Sequence, residues 1–368
     1  MRNIKAYRSA DEIILTEKGE EKIMVEELQI GRSVELTYEL LRGAIDLHVH
    51  PGPHLKSSPR RVDPIDCAIE ARDAGMRAMV YLDCFEMSNG ITWLVNRHVK
   101  NFTVFGGLIM NTVYGGMNPR CVKTALEYGD GAKYIQFGTH STYYQASKEG
   151  RVVDGHFKSL AELYPKFRDE ELGRAISIPV EGDPSLELDE ILKAVADHKG
   201  VYLDTGHVSV PEALRLCELK DQYGIENLII SGSVAKIATM DELKKMVKMG
   251  ALVEQSMAAF SAAQMVPLTH YYVEKEYASI DEGMKAPETE GIRVVAKQVR
   301  ALGAENMVID TDFGRYSLST PVEGLRQFIS LLLDMGISEE EIRTMVKTNP
   351  ERVLGLESLH FSAFYEDE

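Results

Sequence analysis

Cysteine is scarce in this chain. The four residues, Cys67, Cys84, Cys121 and Cys217, lie far apart and form no CxxC pair. That spacing argues against a disulfide framework and leads to the expectation of a reducing, cytoplasmic setting. Positive charge is short as well: 41 Lys and Arg stand against 57 Asp and Glu, for a formal net charge of −16. Nucleic acids and anionic membranes need a basic surface, so neither is expected as a partner, and a small-molecule substrate is. Long apolar runs are missing too. The most apolar helical stretch, 328–333, is far too short to span a bilayer. The opening MRNIKAYRSADEIIL has no apolar h-region, so no signal peptide is expected. No internal repeat and no low-complexity tract breaks the chain.

What is present is an ordinary globular composition, 44% hydrophobic and 27% charged, over 368 residues. That length suits one α/β barrel with insertions and can bury a large core. Residues 1–43 stand apart, with β-prone runs at 13–15 and 22–25 around a turn at 17–19, then a helix over 34–41. They read as a small N-terminal hairpin and helix extension. From residue 44, short apolar runs alternate with amphipathic helices, the mark of βα units. Eight strands are expected, at 44–50, 78–83, 103–108, 134–137, 201–205, 228–231, 251–254 and 307–312. Helices follow at 64–74, 119–128, 211–223 and 241–249, several opening on Pro or an acidic cap and closing near Gly. The expected fold is therefore α/β, a (β/α)8 TIM barrel over 44–356, with an open doubly wound sheet as the competing architecture. Further outer helix is expected over 334–354, and an acidic tail over 357–368. Two connections are unusually long, 138–186 and 255–289. Both follow strands, so both should emerge at the C-terminal face, where barrel enzymes place their sites.

Three motifs carry chemistry. In Asp46-Leu47-His48-Val49-His50-Pro51-Gly52-Pro53, residues two apart share a strand face, so His48 and His50 fall together, with Leu47 and Val49 on the other face. Two imidazoles at a strand end can chelate one divalent ion, and Pro-Gly-Pro stops the strand there. In Asp204-Thr205-Gly206-His207, the histidine sits just past the fifth strand, at the rim. In Asp310-Thr311-Asp312-Phe313-Gly314, a carboxylate at the end of the last strand can bind metal or accept a proton from water. Asp312, nearer the strand end, is preferred over Asp310, which suits a structural role.

These motifs resemble the amidohydrolase superfamily. More narrowly they resemble an amidohydrolase-like branch known as a domain of unknown function. The matching segments are DLHVHPGP at 46–53, PRRVD at 59–63, AGM at 74–76, FGGLIMN at 105–111, TGH at 205–207, TDFG at 311–314 and NPERVLGL at 349–356. The resemblance covers most of 44–356. It implies metal ligands at His48, His50, His207 and Asp312. The branch carries Lys-Ser-His after the second strand, where this chain has Leu82-Asp83-Cys84, and Thr-His after the sixth, where it has Ser231-Gly232-Ser233. No motif supplies the bridging lysine or glutamate of a two-metal site, and Lys133, before the fourth strand, reads as a surface lysine. A single ion is therefore expected, zinc first, with iron, manganese, nickel or cobalt compatible. The part of the absent histidine falls to other groups: His140 after the fourth strand, or Asp83, Cys84 and Glu86 after the second, with Glu254 ending the seventh.

Arg60, Arg61 and Arg315 lie on loops of the catalytic face. Guanidinium forks grip carboxylates and phosphates, so Arg60 and Arg315 are candidate binders of an anionic substrate. Tyr143, Tyr144, Tyr271 and Tyr272 in the long connections could form a lid or pack the subunits of a homo-oligomer. The leading expectation is a hydrolase in which metal-activated water attacks a C–N or C–O bond. Asp312 would accept the proton, and His140 or Asp83 would replace the missing histidine. A metal-assisted decarboxylase or other lyase, and a binding or scaffold protein built on such a barrel, are the alternatives.

Overall fold

The computed structural model describes residues 32–56, 58–260 and 291–357. Eight parallel strands follow one another in a single sheet, each paired with its neighbours in chain order. They are β1 (Ile45–Val49), β2 (Ala78–Tyr81), β3 (Thr103–Met110), β4 (Ala132–Phe137), β5 (Tyr202–Asp204), β6 (Asn227–Ile230), β7 (Leu252–Ser256) and β8 (Met307–Asp310). This is the (β/α)8 barrel, and the open sheet is excluded by its closure. Asp312 N donates to His48 O at 2.8 Å and His50 N donates to Phe313 O at 2.8 Å, so the segment leaving β8 joins β1.

The helices between the strands start where side chains satisfy their first amides. Asp63 accepts from Ile65 N and Asp66 N ahead of Pro64–Asp73, and Asn118 accepts from Arg120 N ahead of Pro119–Glu127. Reciprocal Ser209/Glu212 and Thr239/Glu242 boxes open Val210–Tyr223 and Met240–Lys248. Each such cap stabilises by about 1 kcal/mol. Among the described residues, no helix is long and apolar enough to cross a membrane.

The core has two main parts. Ile45, Leu47, Ala78, Val80, Tyr134, Tyr202, Ile229, Leu252 and Val308 pack together, joined by Val353 and Leu354 of the helix Asn349–Leu354. A larger cluster includes Val49, Met79, Tyr81, Val253 and Ile309 with the helical layer. Leu47 and Val49 therefore do not share a face. The β1–β2 register shifts between Asp46 and Val49, and this irregularity changes the phase of β1. Asp46 holds it in place by accepting from His48 N, Thr311 N and Thr311 Oγ1. Lys133 is half-buried rather than free at the surface. Its Nζ donates to Leu354 O at 3.3 Å, at the barrel end opposite the β1 histidines.

The helix Arg32–Leu41 is present and packs on Pro321–Asp334. The hairpin expected over 13–25, Tyr271, Tyr272 and nearly all of the acidic tail lie outside the described residues. The connection after β4 folds as a small insert: the helix Tyr143–Lys148, an antiparallel hairpin of Gly150–Val153 with His156–Ser159, and short helices, around Ala146, Leu160 and Phe167. In it Tyr143 is exposed, and the ammonium of Lys148 lies over the Tyr144 ring.

Gly314 sits at the closing seam. A Cβ there would lie 1.9 Å from His50 O, against backbone that cannot step aside. Gly314→Ala should destabilise by at least about 2 kcal/mol in urea unfolding. Gly90→Ala, whose Cβ would meet only Tyr128 at 3.7 Å within a helix, should change stability by no more than about 1 kcal/mol. Equal midpoints for the two variants would show that the seam tolerates a methyl group.

Candidate metal centre

The change of phase in β1 and the turn after β8 bring three donors together. His48 Nε2 and His50 Nε2 are 3.1 Å apart, and Asp312 Oδ1 lies 3.0 Å from His50 Nε2 and 3.7 Å from His48 Nε2. Asp312 reaches this position from a left-handed backbone conformation, φ 50°. Few residues other than glycine adopt it without strain, and Asp and Asn are among them. The expected strand over 307–312 accordingly ends at Asp310.

Each imidazole is held from behind. His48 Nδ1 faces Glu254 Oε1 at 2.9 Å, and His50 Nδ1 donates to Leu82 O at 2.8 Å. With both Nδ1 atoms donating, both Nε2 atoms present lone pairs to the same small space, a pairing that needs a proton or a cation between them. Two nitrogens bound to a tetrahedral ion at ordinary distances stand about 3.3 Å apart. A carboxylate or carbonyl behind each ligating imidazole is also how metal sites fix the tautomer.

His207 stands outside this cluster but on the same mouth. Its ring lies 6.2 Å from that of His140, and its buried Nδ1 has no hydrogen-bond partner. Burial first, and then the neighbouring His140, push its pKa down to about 4, so it is a neutral imidazole with a free donor atom. Two imidazole nitrogens and a carboxylate, with a third imidazole beside them, form a donor set that fits a divalent transition metal.

The surroundings are rich in carboxyl groups. Burial raises Asp46 to about 6 and, with Glu254 adding to it, Asp204 to about 7. Asp310 is raised well above the usual range by burial and by Glu254. It also offers an oxygen within 4.8 Å of donors of His48 and Glu254, a second group able to hold a cation. Burial opposes a charge on His48, but Glu254 and Asp312 overcome it and set its pKa near 10. Burial likewise opposes ionisation of Asp312, and His48, His50 and Arg315 outweigh it, holding its pKa below the usual range.

The remaining candidates are placed as follows. His140 Nδ1 is hydrogen-bonded to Glu149, just past the helix Tyr143–Lys148, and is not among the three converging donors. Burial disfavours its protonation, yet Glu149 raises its pKa above the ordinary value. Asp83 Oδ1 accepts from Phe85 N at 2.7 Å and Glu86 N at 3.2 Å, which turns its own loop. Burial raises the Cys84 thiol to about 11. At the end of β6, Gly232 N donates to Glu254 Oε2 at 2.7 Å, so Glu254 from β7 reaches the place where the branch has its histidine. Arg60 and Arg315 pair through their backbones beside the cluster. Glu149 escaped the sequence reading because nothing local marks it. Glu254 is among the groups the sequence offers in place of the absent histidine, but its link to His48 spans the barrel and no local pattern shows it.

Comparisons with known proteins agree with this architecture. A family profile described as "Family of unknown function (DUF6282)" matches residues 43–254. Among solved structures, the chain is similar to an amidohydrolase from Pseudomonas aeruginosa at 13% identity and a TM-score of 0.51, covering 88% of this chain and 99% of that one. An amidohydrolase from Mycoplasma synoviae matches at 17% identity and a TM-score of 0.52, covering 88% and 91%. A dihydroorotase matches at 13% and 0.50, covering 86% and 70%. At such identities the likeness establishes the fold. A search of curated proteins found no match.

The His140–Glu149 pair makes a prediction with a definite sign. Because the folded pKa of His140 is raised, the pair stabilises fully below the unfolded value of about 6.5 and loses its effect as pH rises through the folded value. An NMR titration should place His140 above 6.5, and Glu149→Gln should drop it below. The stability gap between wild type and Glu149→Gln should be widest in acid and close in alkali. An unchanged His140 titration in the variant would rule out the pairing.

Proposed function

This chain belongs to the DUF6282 family, and from the centre it carries we propose that it is a metal-dependent hydrolase of the amidohydrolase type, cleaving a C–N or C–O bond of a small substrate. The observation behind this reading is the convergence of His48 Nε2, His50 Nε2 and Asp312 Oδ1, each imidazole being held through its other nitrogen. His48, His50 and Asp312 would hold one divalent ion with His207 as the further donor. Zinc suits this set best, and iron, manganese, nickel or cobalt would also fit. Such an ion, when bound, lowers the pKa of water toward about 7 and polarises the scissile group.

The protein's own groups then divide the proton work. Asp312 accepts the proton of the attacking water. His140, where burial opposes a charge but Glu149 outweighs it and raises the pKa, donates to the leaving group from the β4 side. Glu149 keeps that imidazole oriented. Asp83 has one oxygen engaged by the amides of its own turn and is assigned to shaping the loop. Arg60 and Arg315 lie at the rim.

Elemental analysis of the purified full-length protein tests this directly. A divalent transition metal should be present or taken up on dialysis, and His48→Ala with His50→Ala should abolish its retention. Glu254→Gln keeps the size but removes the charge behind His48, and should weaken metal affinity about 10–100-fold. Asp312→Asn tolerates the same backbone conformation, so it should keep the fold while ester and amide turnover is lost. A protein that neither carries nor takes up metal would sink the reading and leave the barrel as a binding protein.

A further inference from the structure

Several arginines among the described residues have side-chain partners. Arg77 pairs with Glu351, Arg326 with Glu323, Arg215 with Glu218, and Arg97 lies over the Trp93 ring. Arg60 and Arg315 differ. Neither guanidinium has an ion pair or hydrogen bond among the described residues, and Arg60 Nε is shielded from solvent without a partner. Yet the backbone presses them together. Arg60 and Arg315 form an antiparallel bridge, Arg61 N donates to Gly314 O at 2.8 Å, and Tyr316 N donates to Pro59 O at 3.2 Å.

Burial opposes the charge of Arg60 and Arg315 adds to that, while the nearby Asp312 and Asp83 only partly offset it, so an anion in contact with both guanidiniums would stabilise the pair. Nothing in the fold requires the arrangement, because the backbone bridge would form with other side chains. The pair flanks the metal centre. The charge of Arg60 is felt by His50 and that of Arg315 by Asp312 and His140, while both act on His54.

We propose that Arg60 and Arg315 form an oxyanion-binding subsite at the barrel mouth, which takes a carboxylate or phosphate group of the substrate beside the reacting bond. The planar guanidinium fork matches both groups in two-pronged geometry. His54 does not compete for this role as a cation. Burial, with Arg60 next, pushes its pKa down to about 3, and its Nδ1 is held by Ser58 O at 2.9 Å. The inference deepens the hydrolase reading and rests on it for the word substrate, but anion binding can be measured without turnover.

The test is calorimetric titration of the full-length protein, chelator-treated and metal-loaded, with three probes: succinate, inorganic phosphate and the neutral succinamide. Arg60→Gln and Arg315→Gln are compared with Arg61→Gln, which removes an exposed charge next door. Succinate or phosphate should bind the metal-free wild type, and succinamide should not. Each of the two variants should weaken anion binding about tenfold, the loss of one charge-assisted hydrogen bond, with unfolding midpoint and metal content unchanged. Arg61→Gln should bind as wild type. Tighter succinate marks a carboxylate substrate, and tighter phosphate a phosphate ester. No anion binding, binding unaltered by Arg60→Gln and Arg315→Gln, or an equal loss in Arg61→Gln would overturn the subsite. Metal uptake without anion binding refutes only the subsite, whereas anion binding without metal uptake refutes only the hydrolase reading.

Discussion

A parallel barrel has no free edge only if its last strand finds its first, and in this chain that junction is also where His48, His50 and Asp312 converge. The bonds from Asp312 N to His48 O and from His50 N to Phe313 O close the sheet and at the same time set the spacing of the three donors. Gly314 lets the two segments approach at His50. Asp312 takes its unusual backbone conformation because the chain must complete one more ladder step and then turn away. An uncommon conformation at such a point is held by what surrounds it, here a seam bonded on both sides. Stability of the barrel and geometry of the centre are therefore one constraint, and loosening either changes the other.

The electrostatics follow from that placement. The seam and the strands beside it bury Asp46, Asp204, Glu254 and Asp310 and half-bury Asp312; among the described residues His48 pairs with Glu254 and Asp312, and His50 with Asp312. Burial drives Asp46, Asp204 and Asp310 toward their neutral forms. Glu254 and Asp312 remain ionised because His48 offsets their burial. Two anions then share one protonated imidazole, an imbalance that a divalent ion would correct and a proton alone does not. Ligands must be deprotonated to bind, so uptake of such an ion would release the His48 proton.

The barrel was legible because βα alternation repeats eight times and each repeat carries its own caps. His48, His50 and Asp312 were legible because they lie at the ends of strands, where topology alone puts them at one mouth. The phase of β1 was not. Leu47 joins Ile45 in one cluster and Val49 lies in the other, because Asp46 and Thr311, 265 positions apart, fix the irregularity. Period-two reasoning has no access to a bond of that range. The same holds for Glu254 behind His48 and for Glu149 beside His140. Strand order puts His207 and His140 just past β5 and β4, but neither is among the three donors that converge, and their distances from the other histidines depend on the insert after β4, whose fold no periodicity announces.

The charge balance of the whole chain makes the Arg60–Arg315 pair more informative. A protein of net charge −16 repels an anion at long range, yet at physiological ionic strength that field fades within about 8 Å. Inside this distance only local groups count, and at the mouth these include two arginines, a neutral His54, the Asp83 carboxyl group and the charged centre below them. An anionic molecule would therefore meet repulsion far away and attraction close in. Recognition on such terms selects by fit at the rim rather than by steering from solution. Arg60 and Arg315 are set by the same segments, 59–61 and 314–316, that continue the β1–β8 seam. The junction that closes the barrel thus fixes both the His48, His50 and Asp312 donors and the Arg60 and Arg315 cations, and the spacing between the two groups is built into the fold.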